Sequence, residues 1–504
     1  MCPTIIFFGD IMKFYSTRGN DVVNSAAEAI SKGLASDGGL FVPEFFPNVK
    51  KELNSLLSMD YAERAAFIIG KYLEEYDKEE LLVACKKAYA QFEDGDAAPV
   101  IKIDDDLFIL ELFHGPTLAF KDIALTILPY LLRKGSDICG IKEQILILVA
   151  TSGDTGKAAL SGFCDTDGIK IMVFYPSDGV SDMQKLQMCS QKGNNVNVVG
   201  VNGNFDDCQT AVKKIFSDVE FNKLLKDKNI ILSSANSINF GRLVPQIAYY
   251  FSAYCDLVNA EEIKMGDEVD FVVPTGNFGN ILAGFYAKKM GLPIGKLVCA
   301  SNMNNVLTEF FASGLYDKNR EFFKTASPSM DILISSNLER FIFENSNRNA
   351  SLTSARMQEL KKFGKYSVSK AEQERMSECF FAGFCDEEDC FQKVKDIFDD
   401  YGYVSDTHTA VALSVCDEYC KFSESQNKKI ILSTASAYKF PQSVYKAITG
   451  KNIKDPFVAC DKLYNESAFP IPKAITQLKD AKKRFVDVID KTKAADAVLR
   501  FLDV

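Results

Sequence analysis

Ile145-Leu146-Ile147-Leu148-Val149-Ala150-Thr151-Ser152-Gly153-Asp154-Thr155-Gly156 is an unbroken apolar run that ends in hydroxyls and glycines. A run without polar alternation reads as a strand buried on both faces, as in a parallel sheet covered by helices. The residues after it open a short helix, 157–163, and free backbone N–H groups at a helix start bind anions. A nucleotide P-loop needs four residues between its glycines and then Lys-Ser/Thr. Here two residues separate Gly153 from Gly156, and Ala158 follows Lys157. A carboxylate or a phosphate is the natural guest.

Similar runs recur on either side, at 107–112, 169–175, 196–201, 230–233, 269–274, 296–300 and 430–434, with helical stretches such as 206–225 and 281–290 between them. Strand and helix in alternation predict an α/β architecture with largely parallel sheets, whose ligands sit beyond the carboxyl ends of strands. Two more loops hold that position. Ser234-Ala235-Asn236-Ser237-Ile238-Asn239-Phe240-Gly241-Arg242 offers amides, hydroxyls and an arginine, which pairs bidentately with phosphate. Pro245 then fits the first turn of a helix running to about Leu257. Pro274-Thr275-Gly276-Asn277-Phe278-Gly279-Asn280 places a Gly-x-x-Gly loop between strand and helix, where glycines let the backbone approach a phosphate. It lacks the Gly-x-Gly-x-x-Gly of a dinucleotide site.

Residues 1–97 read as mainly helical, with apolar residues at helical spacing over 60–76 and 79–92. The span 301–429 is less regular and more polar, and its lone His408 reads as structural. In Leu112-Phe113-His114-Gly115-Pro116-Thr117-Leu118-Ala119-Phe120-Lys121-Asp122, one lysine follows an apolar run at the start of a helix predicted over 122–132. Burial disfavours an ammonium and frees the amine, as a nucleophilic lysine requires.

Composition narrows the class. A net charge of −10 argues against nucleic acid as a partner. The 14 cysteines form no Cys-x-x-Cys pair and there are two histidines, so tetrahedral zinc is not expected, and the free thiols suit a reducing compartment. No run approaches a membrane span, and the patch 5–8 lacks the basic flank of a secretory signal; the expected location is cytoplasmic.

The Lys121 stretch closely resembles the pyridoxal phosphate lysine motif of the threonine synthase family of bacterial and fungal type. Tyr15-Ser16-Thr17-Arg18-Gly19, the turn-rich 33–43, 302–305 and 327–331 also resemble its landmarks, in the same order. The resemblance implies a fold type II architecture: two parallel-sheet domains plus a mainly helical N-terminal domain. Its expected boundaries are 1–97 for the helical domain, 98–143 with 259–475 for the large cofactor domain, 144–258 for the small domain and 476–504 for a terminal helix. It implies Lys121 as the catalytic lysine holding pyridoxal phosphate. Gly276, Asn277, Phe278, Gly279 and Asn280 would cradle the cofactor phosphate, Asp154 would lie near the phenolic oxygen and Thr434 at the ring nitrogen. Thr151, Ser152, Thr155, Asn236, Ser237 and Arg242 would bind the substrate, O-phospho-L-homoserine. The implied reaction is its conversion with water to L-threonine and phosphate, by a monomer or homodimer. A phospholyase releasing 2-oxobutyrate and a non-catalytic relative are the alternatives. The family's Thr-Ala-His-Pro-Ala-Lys-Phe reads Thr434-Ala435-Ser436-Ala437-Tyr438-Lys439-Phe440 here, and Thr407 stands where proline is common. These departures bear on the wall of the site.

Overall fold

The computed structural model describes residues 11–504 other than Ser152 and Asp178, so the amino-terminal patch 5–8 and the candidate Ser152 lie outside the described residues. Two parallel sheets carry the chain. The larger has six strands in the order Phe380–Phe384, Ile294–Ser301, Val269–Pro274, Lys428–Ser433, Leu107–Glu111 and Val100–Lys102, all parallel except the last. The smaller runs Val488–Asp490, Val196–Asn202, Ile169–Pro176, Gln144–Ala150 and Ile230–Ser233, parallel throughout. The central strands are rich in β-branched residues and buried along almost their whole length, as strands covered on both faces must be.

Several elements differ from the sequence reading, each for a local reason. The helix expected over 122–132 is two helices, Lys121–Leu125 and Leu128–Ile138. Pro129 cannot donate, and its ring would meet the carbonyl four residues back, at Leu125. The helix expected over 206–225 is likewise two, Phe205–Ser217 and Val219–Asp227, because the Asp218 side chain accepts from Phe221 N at 3.0 Å and starts the second. Pro245 lies inside the helix Phe240–Asn259, which Asn239 caps, and not in its first turn. That helix packs on Tyr61–Gly70 and Gly279–Lys289.

The turn-rich amino-terminal signature contributes an antiparallel sheet, Val22–Val23, Phe14–Ser16 and Phe41–Pro43, beside the helices Ala26–Lys32, Tyr61–Gly70 and Lys78–Tyr89. The polar span 301–429 is mostly regular: Val306–Ser313, Leu338–Asn345, Ala350–Phe363, Lys370–Cys379, Glu387–Tyr401 and Thr407–Phe422 are helices. Residues 476–504 hold the strand Val488–Asp490 as well as the helix Ala494–Leu502. Among the described residues no helix is long and apolar enough to cross a membrane, and no cluster of His, Cys, Asp or Glu could hold a metal ion.

Candidate active site

The carboxyl ends of the strands from both sheets converge on one cleft. Its walls include Lys121, Asp154, Thr155, Ser237, Arg242, Gly276 to Asn280, Ser329, His408 and Thr434. The segment that delivers Lys121 is folded tightly. Asp122 accepts from Thr117 N at 2.7 Å and Thr117 Oγ1 at 2.6 Å. A Cβ on Gly115 would lie 2.5 Å from that of Asp122, so only glycine allows this turn. Leu118 takes a left-handed φ of 62°, a conformation that the surrounding structure must impose on a branched residue. Thr434 carbonyl receives the Phe120 N–H at 2.9 Å and joins the lysine segment to the end of the strand Lys428–Ser433.

Lys121 stands 3.6 Å from Asp154, with Nζ 4.6 Å from the centre of the Phe120 ring. Burial lowers its pKa; Asp154 opposes that shift, and the Lys439 and Arg242 charges reinforce it. Lys439 is the stronger cation for Asp154. Its fully buried Nζ lies 2.7 Å from Asp154 Oδ1 and donates to Thr117 carbonyl at 2.8 Å. Asp154 also accepts from Gln184 Nε2 at 3.0 Å and Ser329 Oγ at 2.9 Å. Burial alone would raise this carboxyl, but Lys439 and Lys121 overcome it and hold the group well below the usual carboxylate range. Asp154 is therefore a fixed anion, tied to Lys439.

Ser329, His408 and Lys439 were not among the sequence-predicted site residues. His408 accepts the Ser329 N–H on Nε2 at 3.1 Å, with Nδ1 2.6 Å from Asp406. This fixes the Nδ1–H tautomer and the rim of the cleft together. The Asn302 and 327–331 landmarks support the same rim: Asn302 Nδ2 and Asn304 Nδ2 donate to Asp331 at 2.8 and 3.0 Å. Thr407, where proline was expected, donates to Ala326 carbonyl at 2.7 Å, a bond that proline could not make.

Of the loops singled out from sequence, the one at 274–280 is open in the way an anion site requires. Among the described residues, the N–H groups of Gly276, Asn277, Phe278, Gly279 and Asn280 reach no protein acceptor, and Asn280 Nδ2 is buried without a partner. Neither glycine has a positive φ; Phe278 does, at 61°. Gly276 is tightly placed, since a Cβ there would lie 3.0 Å from Ser329 carbonyl and that backbone would have to give by a few tenths of an ångström, whereas one on Gly279 would make ordinary contact.

Arg242 is buried, donates through Nη1 to Ala235 carbonyl at 2.6 Å and, among the described residues, leaves Nε without a partner. Burial pushes its guanidinium down to about 10. A buried cation with a free donor, beside Ser237 in the same cleft, calls for an anion. Asn236 does not line the cleft, although its Oδ1 is buried and unpartnered. Thr151 does not line it either. Its Oγ1 accepts from Gly153 N at 3.0 Å and Gly156 N at 2.9 Å and caps the following helix. The Ser436 to Tyr438 departure also packs away from the cleft: Tyr438 OH donates to Phe469 carbonyl, and its ring stacks on Phe469 at 5.7 Å.

An amine depressed by burial beside a cradle of free N–H groups fits an aldehyde cofactor that carries a phosphate, and comparison with known proteins agrees. Residues 98–355 match the family model for pyridoxal-phosphate dependent enzymes, residues 13–89 that for the threonine synthase N terminus and residues 409–499 that for the threonine synthase C-terminal region. The crystal structure of pyridoxal-phosphate-bound threonine synthase from Brucella melitensis has a TM-score of 0.85 at 34% identity, over 97% of this chain and 99% of that one. The fold and cleft are thus those of a fold type II pyridoxal phosphate enzyme. Threonine synthase from Saccharomyces cerevisiae is 37% identical over 454 residues, covering 84% of this chain and 87% of that protein. Threonine synthase-like 1 from Homo sapiens is 42% identical over 441 residues, covering 85% of this chain. The match spans 58% of that human protein's length. The chain belongs to the threonine synthase family.

Proposed function

We propose that the chain is a threonine synthase, converting O-phospho-L-homoserine and water to L-threonine and phosphate. The observation that carries this reading is Arg242: a buried guanidinium with a free donor, in the same cleft as Lys121 and on a different segment from the 274–280 loop. A second anion site is what a phosphorylated amino acid demands.

Pyridoxal phosphate, when bound, supplies the electron sink for charge at the substrate Cα. The Gly276 to Asn280 N–H groups and Asn280 Nδ2 would hold its phosphate. Thr434 would serve the ring nitrogen, and being uncharged it would not fix a proton there as a carboxylate would. Asp154, held anionic beside Lys439, would serve the phenolic oxygen. Ser152 and Thr155 take the substrate carboxylate, and Arg242 and Ser237 the leaving phosphate. Lys121 accepts and returns protons at Cα and Cβ, a role suited to an amine whose pKa burial has lowered.

The reaction is a synthase or a phospholyase depending on whether water adds at Cβ before the unsaturated intermediate is released. The residues that depart from the family pattern, Ser436 to Tyr438, point away from the cleft, which supports the synthase. The test is to supply O-phosphohomoserine to the holoenzyme and quantify threonine, 2-oxobutyrate and phosphate in one reaction. Threonine equal to phosphate is expected. Predominant 2-oxobutyrate makes the chain a phospholyase, and absence of all three makes it a non-catalytic relative.

A further inference from the structure

Arg340 lies in the helix Leu338–Asn345, on none of the cleft walls, and is fully buried. Its three hydrogen bonds run to three separate segments. Nε donates to Phe41 carbonyl in the amino-terminal sheet at 2.9 Å, Nη2 to Ile238 carbonyl at 2.7 Å and Nη1 to Asn337 Oδ1 at 2.6 Å. Asn337 passes the last contact on, donating from its backbone and side-chain nitrogens to Asn277 carbonyl at 3.1 and 3.2 Å. Ile238 adjoins Ser237, and Asn277 is the middle of the Gly276 loop.

All three acceptors are uncharged. The adjacent Glu339 is taken up elsewhere, by Arg18 Nε and Nη2 at 2.9 and 2.8 Å and by Thr17 Oγ1 at 2.6 Å. The guanidinium charge is therefore not neutralised at its hydrogen bonds, and Glu339 acts on it only through space. Burial pushes it down to about 10, which leaves it charged at neutral pH. A planar fork with donors on three sides can reach all three acceptors at once; the single ammonium of lysine cannot.

We propose that Arg340 is a positioning residue that locks the loop around Asn277 and the loop around Ser237 in one register, so that the two phosphate sites stay at a fixed separation across the Lys121 amine. The proposal rests on the reading above for which loop holds which phosphate. Rigid support of this kind matters because a shift of about 1 Å in a bound group can cost roughly a hundredfold in rate.

The test uses Arg340→Lys and Asn337→Ala, with Arg356→Lys as the control for loss of an unrelated buried arginine. Arg356 is paired with Glu372 at 2.7 Å and lines no part of the cleft. Two constants are measured: pyridoxal phosphate binding to apoenzyme by absorbance, and inorganic phosphate binding to holoenzyme by calorimetry. Arg242→Met calibrates the second. Arg340→Lys is expected to weaken both by about tenfold or more. Asn337→Ala removes the side-chain link from Arg340 to Asn277 and keeps the backbone bond from residue 337 to Asn277 carbonyl; it should weaken the cofactor and leave phosphate within twofold. Arg356→Lys should lower Tm and move neither. If Arg340→Lys leaves either constant within twofold while Arg242→Met weakens phosphate, the proposal fails. If Arg242→Met leaves phosphate unchanged, the substrate-phosphate assignment fails instead, and cofactor affinity in Arg340→Lys and Asn337→Ala alone decides the role of Arg340: a tenfold loss in both supports it, and no change in either overturns it.

Discussion

The turns after Ala150 and after Pro274 look alike in sequence: a buried parallel strand, a threonine, two glycines and a helix. They differ in what the threonine does. Thr151 turns its hydroxyl forward and accepts two N–H groups of its own loop, whereas Thr275 turns back and donates to Val273 carbonyl at 2.7 Å. The first loop satisfies part of its helix start internally and contributes a side chain, Asp154. The second leaves five N–H groups open and contributes backbone. A helix start becomes an anion site only where nothing in the chain has already capped it.

The largest effect that can break this contrast is at Asp154. Asp154→Ala strands Lys439 as a buried, unpaired cation, and loss of one partner of such a pair costs about 3–5 kcal/mol. The folded-state pKa of Asp154 is depressed, so its stabilisation is complete above the unfolded carboxyl value of about 3.9 and is lost only as pH falls through the lower folded value. Denaturation of apoenzyme across pH should show a constant gap between wild type and variant from pH 5 to 8 that closes in acid. A gap that grows in acid would refute the pairing.

Next are matched glycine substitutions. Gly276→Val drives a branched side chain against Ser329 carbonyl, and overpacking of about 1–3 kcal/mol corresponds to about a fivefold to hundredfold loss of cofactor affinity. Gly156→Val meets Thr151 Cγ2 and Val173 instead and should lower stability by a similar amount with cofactor affinity retained per folded molecule. Titration of both apoenzymes with pyridoxal phosphate distinguishes them; equal losses of affinity would erase the difference between the loops. The smallest effect is at Thr151→Val, where loss of a helix cap costs about 1 kcal/mol of stability. A fall in substrate affinity without a change in Tm would restore Thr151 as a ligand.

Much of the architecture was legible because strands buried on both faces have to be continuously apolar, and all eight predicted runs are strands. What was missed is short or peripheral, including Phe380–Phe384 at the sheet edge, with Phe384 exposed, and the three-residue Val488–Asp490, both of whose ends are exposed. The helices of 301–429 escaped because much of their surface faces solvent and dilutes the apolar pattern. In the site, Lys121, the 274–280 loop and Arg242 stood out as local patterns, and the structure brings them to one cleft. The Ser329–His408 contact spans 79 residues and Ser329–Asp154 spans 175, separations that no local spacing encodes. Lys439 was visible as a letter of a motif, but its ion pair was not. The direction of the Thr151 hydroxyl is a rotamer choice, and both choices are compatible with the same letters.

The central claim is that Lys121, and not its neighbour Lys439, is the reactive amine. Lys121 is lowered by burial and stands 3.6 Å from Asp154, while the fully buried Nζ of Lys439 is held at 2.7 Å from the same carboxylate and donates to Thr117 carbonyl at 2.8 Å. Holoenzyme reduced with borohydride and mapped by peptide mass spectrometry should carry the cofactor on Lys121 alone. An adduct on Lys439, or on any other lysine, would contradict the account.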